Sequence, residues 1–458
     1  MSLSLLVLLA AGLTFAAYMS GVFRVRTVSG GNISALHSRP TYYGAYVALL
    51  VGLAAFVVMA AWLVGENYVI RGAIAAGLPE AVRGGTSAEV ELALGQIVNT
   101  ARSGSSFGGE PYVAELAARY RELTASSRLY MTVAVVVAAL GAFAVGYLQV
   151  KPETRARNRV ELVIKAILFL CSSVAVLTTL GIVLSMLFES LRFFSMVPAS
   201  EFFFGLTWDP RFSAAGSGGE TGQFGLVPVL WGTIFITILS MLVAVPIGLM
   251  SAIYLAEYAG PRFRATAKPL LEILAGIPTV VYGFFAVVTV GPFLRDFGGS
   301  VGLDIDARSA LTAGVVMGIM IIPFVSSLSD DVINAVPQSL RDGSSALGAT
   351  KSETIRQVVL PAALPGIVGS IILAVSRAIG ETMIVVMAAG VAANLTANPF
   401  EAVTTVTVKI VSQLTGDHEF TSPQTLVAFA LGMTLFVITL GLNIYALHIV
   451  RKYREQYD

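Results

Sequence analysis

About nine separate apolar runs constrain this chain more than any other feature, near residues 2–22, 43–64, 130–149, 164–188, 227–256, 270–293, 308–328, 366–390 and 425–449. Each is close to the ~20 residues an α-helix needs to cross a hydrocarbon layer ~30 Å thick. Backbone amides in lipid must be satisfied within their own segment or in a closed barrel, and these runs are about twice the length of a barrel strand, so they predict helices. The charged fraction is 12% and the hydrophobic fraction 56%, with a mean hydropathy of +0.79. The expected fold class is all-α, a polytopic helical membrane protein.

The net charge of +1 offers nothing to attract nucleic acid, which is not expected as a partner. The single cysteine, Cys171, excludes an internal disulfide, and with three scattered histidines the usual metal signatures are absent from the sequence. The first apolar run lacks a basic leader and is followed by Arg24 and Arg26, so it reads as a retained anchor with an outward N-terminus. Lys151, Arg155, Arg157 and Arg159, then Arg262, Arg264 and Lys268, and finally Arg451-Lys452-Tyr453-Arg454 mark the cytoplasmic side. The loops 294–307 and 391–424 carry few cations and read as outward.

Residues 1–150 read as an accessory N-terminal module of three membrane helices, joined by a basic cytoplasmic linker at 151–163 to a permease core at 164–458. Within the module, 65–128 is a long outward excursion expected to form two helices outside the membrane. Thr86 to Glu89 is a possible capping box there, and Gly104 to Gly109 a breaker. It is either a solvated connector or a docking subdomain. The aromatic stretch Phe202-Phe203-Phe204-Gly205-Leu206-Thr207-Trp208 in the loop 189–226 is either an interfacial belt or a docking surface.

Between the seventh and eighth runs lies a cytoplasmic stretch, 329–365, that is neither a short turn nor a domain. Pro337 suits the first turn of a new helix, Gly348 permits a sharp turn, and Thr350 with Glu353 can form a capping box. Helix, turn, helix is the local reading, a knuckle suited to a groove on another protein. Its spacing, Asp342-Gly343-Ser344, then Gly348, Val358 and Leu360-Pro361, resembles the Glu-Ala-Ala loop of ATP-binding-cassette (ABC) importer permeases. Asp replaces Glu and Gly-Ser replaces Ala-Ala. The resemblance implies that Arg341, Asp342, Gly343, Ser344, Gly348, Leu360 and Pro361 couple to an ATPase. Leu360 to Ile367, Ser376-Arg377-Ala378-Ile379-Gly380-Glu381-Thr382-Met383 and Gly276 to Gly283 resemble the phosphate importer permeases. The last of these, with Trp208-Asp209-Pro210, is more similar to the PstC type than to the paired PstA type.

Arg377 lies about 12 residues beyond Pro365, which at 1.5 Å per residue predicts a depth of ~18 Å, near the midplane. Glu381 follows four residues later and is expected on the same helical face, where the two would pair. The pair is either a packing device or part of the substrate path. In the second reading Arg377 contacts the anion, Glu381 tempers its charge, and Thr382 lies beside them.

The sequence contains no Gly-rich phosphate loop ending in Lys-Ser or Lys-Thr, so the chain is expected not to be an enzyme and to need no cofactor of its own. By resemblance, ATP binds a separate PstB-like ATPase dimer. A second PstA-like permease completes the pore and a periplasmic PstS-like protein delivers phosphate, all at a bacterial inner membrane. The alternatives are a permease for molybdate, sulfate or phosphonate, and secondarily a phosphate-signalling membrane subunit.

Overall fold

The structure, a computed structural model, describes residues 2–30, 36–85, 87–103, 111–210, 222–416 and 422–453. Among them nine helices are long and apolar enough to cross a membrane. The chain divides into two compact units, Met1–Val176 and Leu177–Asp458, and the division falls inside one long helix.

The first unit holds α1 (Leu3–Val28), α2 (Pro40–Ala76), α3 (Glu80–Arg83), α4 (Ser87–Ser103), α5 (Pro111–Leu148) and the first half of α6 (Ala156–Met196). Glycine lets α1 and α2 approach closely, because a Cβ on Gly44 would lie 2.7 Å from the Tyr18 carbonyl oxygen. Residues 65–128 hold the end of α2, all of α3 and α4, and the start of α5. α2 and α5 run on past the lipid, 37 and 38 residues long, or ~55 Å each. The amphipathic α4 lies against their extensions, burying Ile70, Ile74, Leu78, Ile97, Val113 and Leu116 in a small core of its own. The expected Thr86 cap and the 104–109 breaker lie outside the described residues. At the other end the Tyr43 hydroxyl donates to the Pro152 carbonyl at 2.9 Å and the Arg157 amide to the Ser38 hydroxyl at 3.2 Å, tying the α5–α6 turn to the start of α2.

The second unit begins with the remainder of α6 and α7 (Ala199–Phe204). β1 (Trp208–Asp209) pairs antiparallel with β2 (Gln223–Phe224), Trp208 opposite Phe224. The aromatic loop serves as neither a simple belt nor a simple surface: Phe202, Trp208 and Phe224 are buried with Phe193, whereas Phe204 is exposed. Next come α8 (Leu226–Ile253), α9 (Pro261–Gly276), α10 (Thr279–Phe285), α11 (Gly291–Val301) and α12 (Ala310–Asn334). α12 is the axis of the unit, with 61% of its apolar window buried against 33% for α8 beside it. The expected sixth span, 270–293, is corrected: Pro278 starts a new helix, so residues 270–276 belong to the amphipathic α9 and the crossing is Thr279–Val301.

The unit ends with α13 (Gln338–Ala346), α14 (Lys351–Thr354), α15 (Leu360–Ile379), α16 (Met383–Ala388), α17 (Val406–Gly416) and α18 (Pro423–Tyr453). One π-helical turn at Ile355–Val359 joins α14 to α15 into a single crossing, Lys351–Ile379. The expected eighth span, 366–390, is therefore also corrected, since its helix stops at Ile379, capped by Gly380.

Candidate functional site

The stop at Ile379 shapes the first site. Phe324, whose ring lies 5.8 Å from the Arg377 guanidinium carbon, is the fifteenth of the 25 residues of α12. That places it ~21 Å from the outer end of α12 and ~15 Å from the inner end, so Arg377 stands near mid-height. The contact is a cation–π interaction within its ~6 Å limit. Arg377 is otherwise open on the surface of this chain and, among the described residues, makes no ion pair.

The expected Arg377–Glu381 pair is therefore corrected. An i, i+4 relation requires helix through both positions, and Glu381 lies beyond the α15 cap, in the break before α16. The Glu381 amide still donates to the Ala378 carbonyl at 3.1 Å, and its carbonyl accepts from the Thr407 hydroxyl at 2.9 Å. Thr382, half-buried, turns its hydroxyl to the Gly380 carbonyl at 3.3 Å.

Beyond α16 the chain makes an excursion that a reading of 391–424 as a plain outward loop missed. Residues 399–401 return to the outer end of α12, where Pro399, Phe400 and Glu401 carbonyls accept from the Leu311, Asp306 and Ala310 amides. The chain then dips inward. Thr404 passes over Gly232 of α8, where any Cβ would strike the Thr404 carbonyl oxygen, and the Val406 amide donates to the Thr233 hydroxyl at 3.0 Å. Non-helical backbone at this depth is tolerated because it is enclosed by protein. Lys409, only 8% exposed, donates from its ammonium to the Val391 carbonyl at 2.8 Å and pins the outgoing limb to the returning one. The one sequence signal for Lys409 was a lysine in an otherwise apolar Thr-Val-Lys-Ile-Val run.

The second site is the knuckle between α12 and α15. α13 ends in a full Schellman motif: the Ala349 amide donates to the Ser344 carbonyl at 3.2 Å, and the Gly348 amide to Ser345 at 3.0 Å. Gly348 takes φ +84°, the left-handed conformation that this motif requires. The Thr350–Glu353 capping box then opens α14 with both of its hydrogen bonds made. Asp342 and Gly343 are exposed on α13, as are Ser345, Ala346 and Leu347, whereas Ser344 is buried and shares a 2.9 Å hydrogen bond with Thr354 across the turn. Leu347 is 91% exposed at the tip. Arg341 points inward, ion-paired with Glu257 and donating to the Ile333 carbonyl at 2.8 Å. Leu360 is half-buried and Pro361 exposed at the start of α15.

A charge cluster braces this knuckle. Asp330, 2% exposed near the end of α12, accepts at both its oxygens from one Arg264 guanidinium nitrogen at 3.0 Å, and at one of them from Lys268 at 2.8 Å. Its hydrogen bond holds the Lys268 ammonium above the usual lysine range. Both cations come from α9, so α9 is clamped to the C-terminal end of α12.

The fold and these two sites define a class: a multi-pass membrane subunit with an interrupted helix beside its central one and a capped helix–turn–helix knuckle at one end. A family model described as a binding-protein-dependent transport system inner membrane component matches residues 244–455, and one described as a phosphate ATP-binding cassette transporter matches 5–178. The chain is 33% identical over 285 residues to a probable ABC transporter permease protein of Bacillus subtilis, covering 62% of this chain and 86% of that one. It is 34% identical over 237 residues to the phosphate transport system permease protein PstC of Mesorhizobium japonicum, covering 48% and 71%. With a probable PstC of Methanocaldococcus jannaschii the identity is 32% over 244 residues, covering 51% and 77%. The chain belongs to the permease family of phosphate-type ABC transport systems.

Proposed function

We propose that this chain forms half of the translocation pore of an ATP-driven phosphate importer in a bacterial inner membrane. The observation that carries the reading is Arg377: a guanidinium near mid-height of α12, beside a helix break, on an open face and with no carboxylate partner among the described residues. An arginine held at such depth is costly to leave idle, and its planar donors suit a tetrahedral oxyanion. The open face is where a second, PstA-like permease would complete the path. Glu381, half-buried at the same break and without an ion-pair partner among the described residues, keeps anion residence short by repulsion rather than by neutralising Arg377.

The knuckle supplies the energy input. Exposed Asp342, Gly343 and Leu347 dock into a cytoplasmic PstB-like ATPase, while Ser344, Gly348 and Arg341 hold the docking shape from behind. ATP is bound by that partner, the chain itself carries no cofactor and performs no catalysis, and a periplasmic PstS-like protein delivers phosphate. The test is uptake of radiolabelled phosphate in cells lacking the chain, complemented with wild type, Arg377→Gln or a deletion of 338–349, with membrane levels checked by blotting. Both variants should insert and fail to transport. Molybdate or sulfate uptake that depends on the chain, with phosphate uptake independent of it, would replace the substrate assignment; normal phosphate uptake by Arg377→Gln would remove Arg377 from the path.

A further inference from the structure

The first unit contains an arginine-lined notch that phosphate translocation does not use. α5 carries Arg121, Thr124 and Arg128 at i, i+3 and i+7, one helical face. With Tyr120 and with Arg102 from the last turn of α4, they line a cavity of about 290 Å³. A second cavity of about 210 Å³ shares Tyr120, Thr124 and Arg128, and continues past Glu66 and Asn67 to Leu3, Leu63 and Met131. The two form one notch, cationic at one end and apolar at the other.

Three features mark it as a site. Among the described residues none of the three guanidinium groups has an ion-pair partner, although they converge on one small space. The Thr124 hydroxyl is buried there with no hydrogen-bond partner, a condition that buried polar groups seldom keep unless something fills the space. Among the described residues the only carboxylate lining either cavity is Glu66, at the far end from Arg102 and Arg121. The donors therefore outnumber the acceptors, which favours a ligand presenting several anionic oxygens.

The position narrows the chemistry further. Arg128 immediately precedes the apolar run Leu129–Leu148 of α5, so it stands at the edge of the hydrocarbon, and Arg121 lies ~10 Å further out. The headgroup zone of a bilayer is ~5–8 Å deep on each side, so Arg128 lies at its inner edge and Arg121 just beyond its outer edge. By the charge bias of the loops this is the outer side.

We infer that this notch binds a phosphate group, supplied either by a phospholipid headgroup or by free inorganic phosphate. Arg102, Arg121 and Arg128 grip the oxyanion and Thr124 donates to it. Leu3, Leu63 and Met131 offer an apolar wall below, which a headgroup with its acyl chains would use and a free anion would not.

The experiment compares the full chain with an R121Q/R128Q double variant. Both side chains are exposed, so neither change removes core packing. Arg377 is intact in both proteins, so any phosphate it binds contributes equally and cancels. In one arm, the proteins are extracted with native lipid and analysed by native mass spectrometry after exchange into nanodiscs of phosphatidylglycerol and phosphatidylcholine. In the other, thermal unfolding is followed in delipidated detergent with and without millimolar inorganic phosphate. A lipid ligand predicts a retained phospholipid on wild type that falls at least tenfold in the double variant, with no difference between them in phosphate response. A free-anion ligand predicts a phosphate-dependent rise in melting temperature that the double variant loses, with no difference in bound lipid. Equal lipid retention together with equal phosphate response overturns the inference. A Thr124→Val variant separates the notch from general surface charge, since it leaves all three cations in place and should still weaken whichever ligand is found.

Discussion

Two glycines five residues apart in the knuckle should respond in opposite directions to the same substitution. Neither Gly343 nor Gly348 has any heavy atom within 4 Å of where a Cβ would stand, so sterics with neighbours contribute nothing at either site. What remains is backbone. Gly348 is held at φ +84° by the Schellman hydrogen bonds, and an L-residue there costs about 1–2 kcal/mol. Gly343 lies inside α13 with ordinary helical geometry, where alanine is favoured over glycine by about 0.8–1 kcal/mol. At ~1.4 kcal/mol per factor of ten in an equilibrium, Gly348→Ala should raise the open population of α13 about 5- to 30-fold and Gly343→Ala should lower it about fivefold. Hydrogen exchange read by mass spectrometry on the 338–354 peptide measures both. The amides of Gly348 and Ala349 should exchange faster in the first variant, and the α13 amides more slowly in the second. Unchanged exchange in Gly348→Ala would show that the turn is not held in the left-handed state, and the account of the knuckle as a pre-shaped docking element would fail with it.

Asp330→Ala should lower thermal stability by about 2–3 kcal/mol, below the ~3–5 kcal/mol of a fully buried broken pair because Arg264 and Lys268 remain 32% exposed; a melting curve within error of wild type would refute the clamp. The same clamp carries a pH signature. Since the folded Lys268 pKa is raised, its contribution is complete below the unfolded value of ~10.4 and is lost as pH rises through the folded one, so wild type should lose stability there and Asp330→Ala should not. Lys409→Met keeps the apolar stem but leaves the Val391 carbonyl unsatisfied, a cost of about 1–3 kcal/mol offset by relief of a desolvated ammonium, so global stability should move little while exchange of 391–405 quickens; unaltered protection there would mean that Lys409 pins nothing. Gly232→Ala drives a methyl into the Thr404 carbonyl and should displace the re-entrant limb, seen as lost phosphate uptake at normal membrane levels; normal uptake would count against that close packing.

What the sequence displayed and what it hid follow one physical division. The knuckle was readable because its determinants are short-range: Pro337, Gly348 and the Thr350–Glu353 pair each act on backbone within four residues. The crossings were readable because lipid demands apolar length. The break at Gly380 was not, since Ala-Ile-Gly-Glu-Thr-Met-Ile-Val continues an apolar stretch and glycine is common in membrane helices. With the break hidden, the i, i+4 pairing of Arg377 with Glu381 followed from a helix that does not reach Glu381. The re-entrant limb was hidden for the converse reason. Its Thr- and Asn-rich residues look like an outer loop, and only contacts 165 to 173 residues distant, Trp231 to Thr396 and Thr233 to Val406, reveal its depth. Pro278 was a local signal that the apolar count of the sixth run overrode.

The same division separates structural from functional polarity in the second unit. Four hydroxyls along its crossing helices bond within their own backbone: Thr237 donates to the Thr233 carbonyl at 2.7 Å, Ser370 to Gly366 at 2.9 Å, Thr434 to Ala430 at 2.8 Å and Thr439 to Leu435 at 2.8 Å. Such groups meet the demand of the bilayer that nothing polar be left unpaired, and they need no partner chain. Lys409 meets it through a carbonyl. Among the described residues the Arg377 and Glu381 side chains find no ion-pair partner, because the helix end between them removes the geometry in which they would satisfy each other. An exposed guanidinium held against the Phe324 ring at mid-height of α12, with the helix ending two residues later, is the arrangement on which the proposed anion path rests, and Arg377→Gln is the variant that tests it.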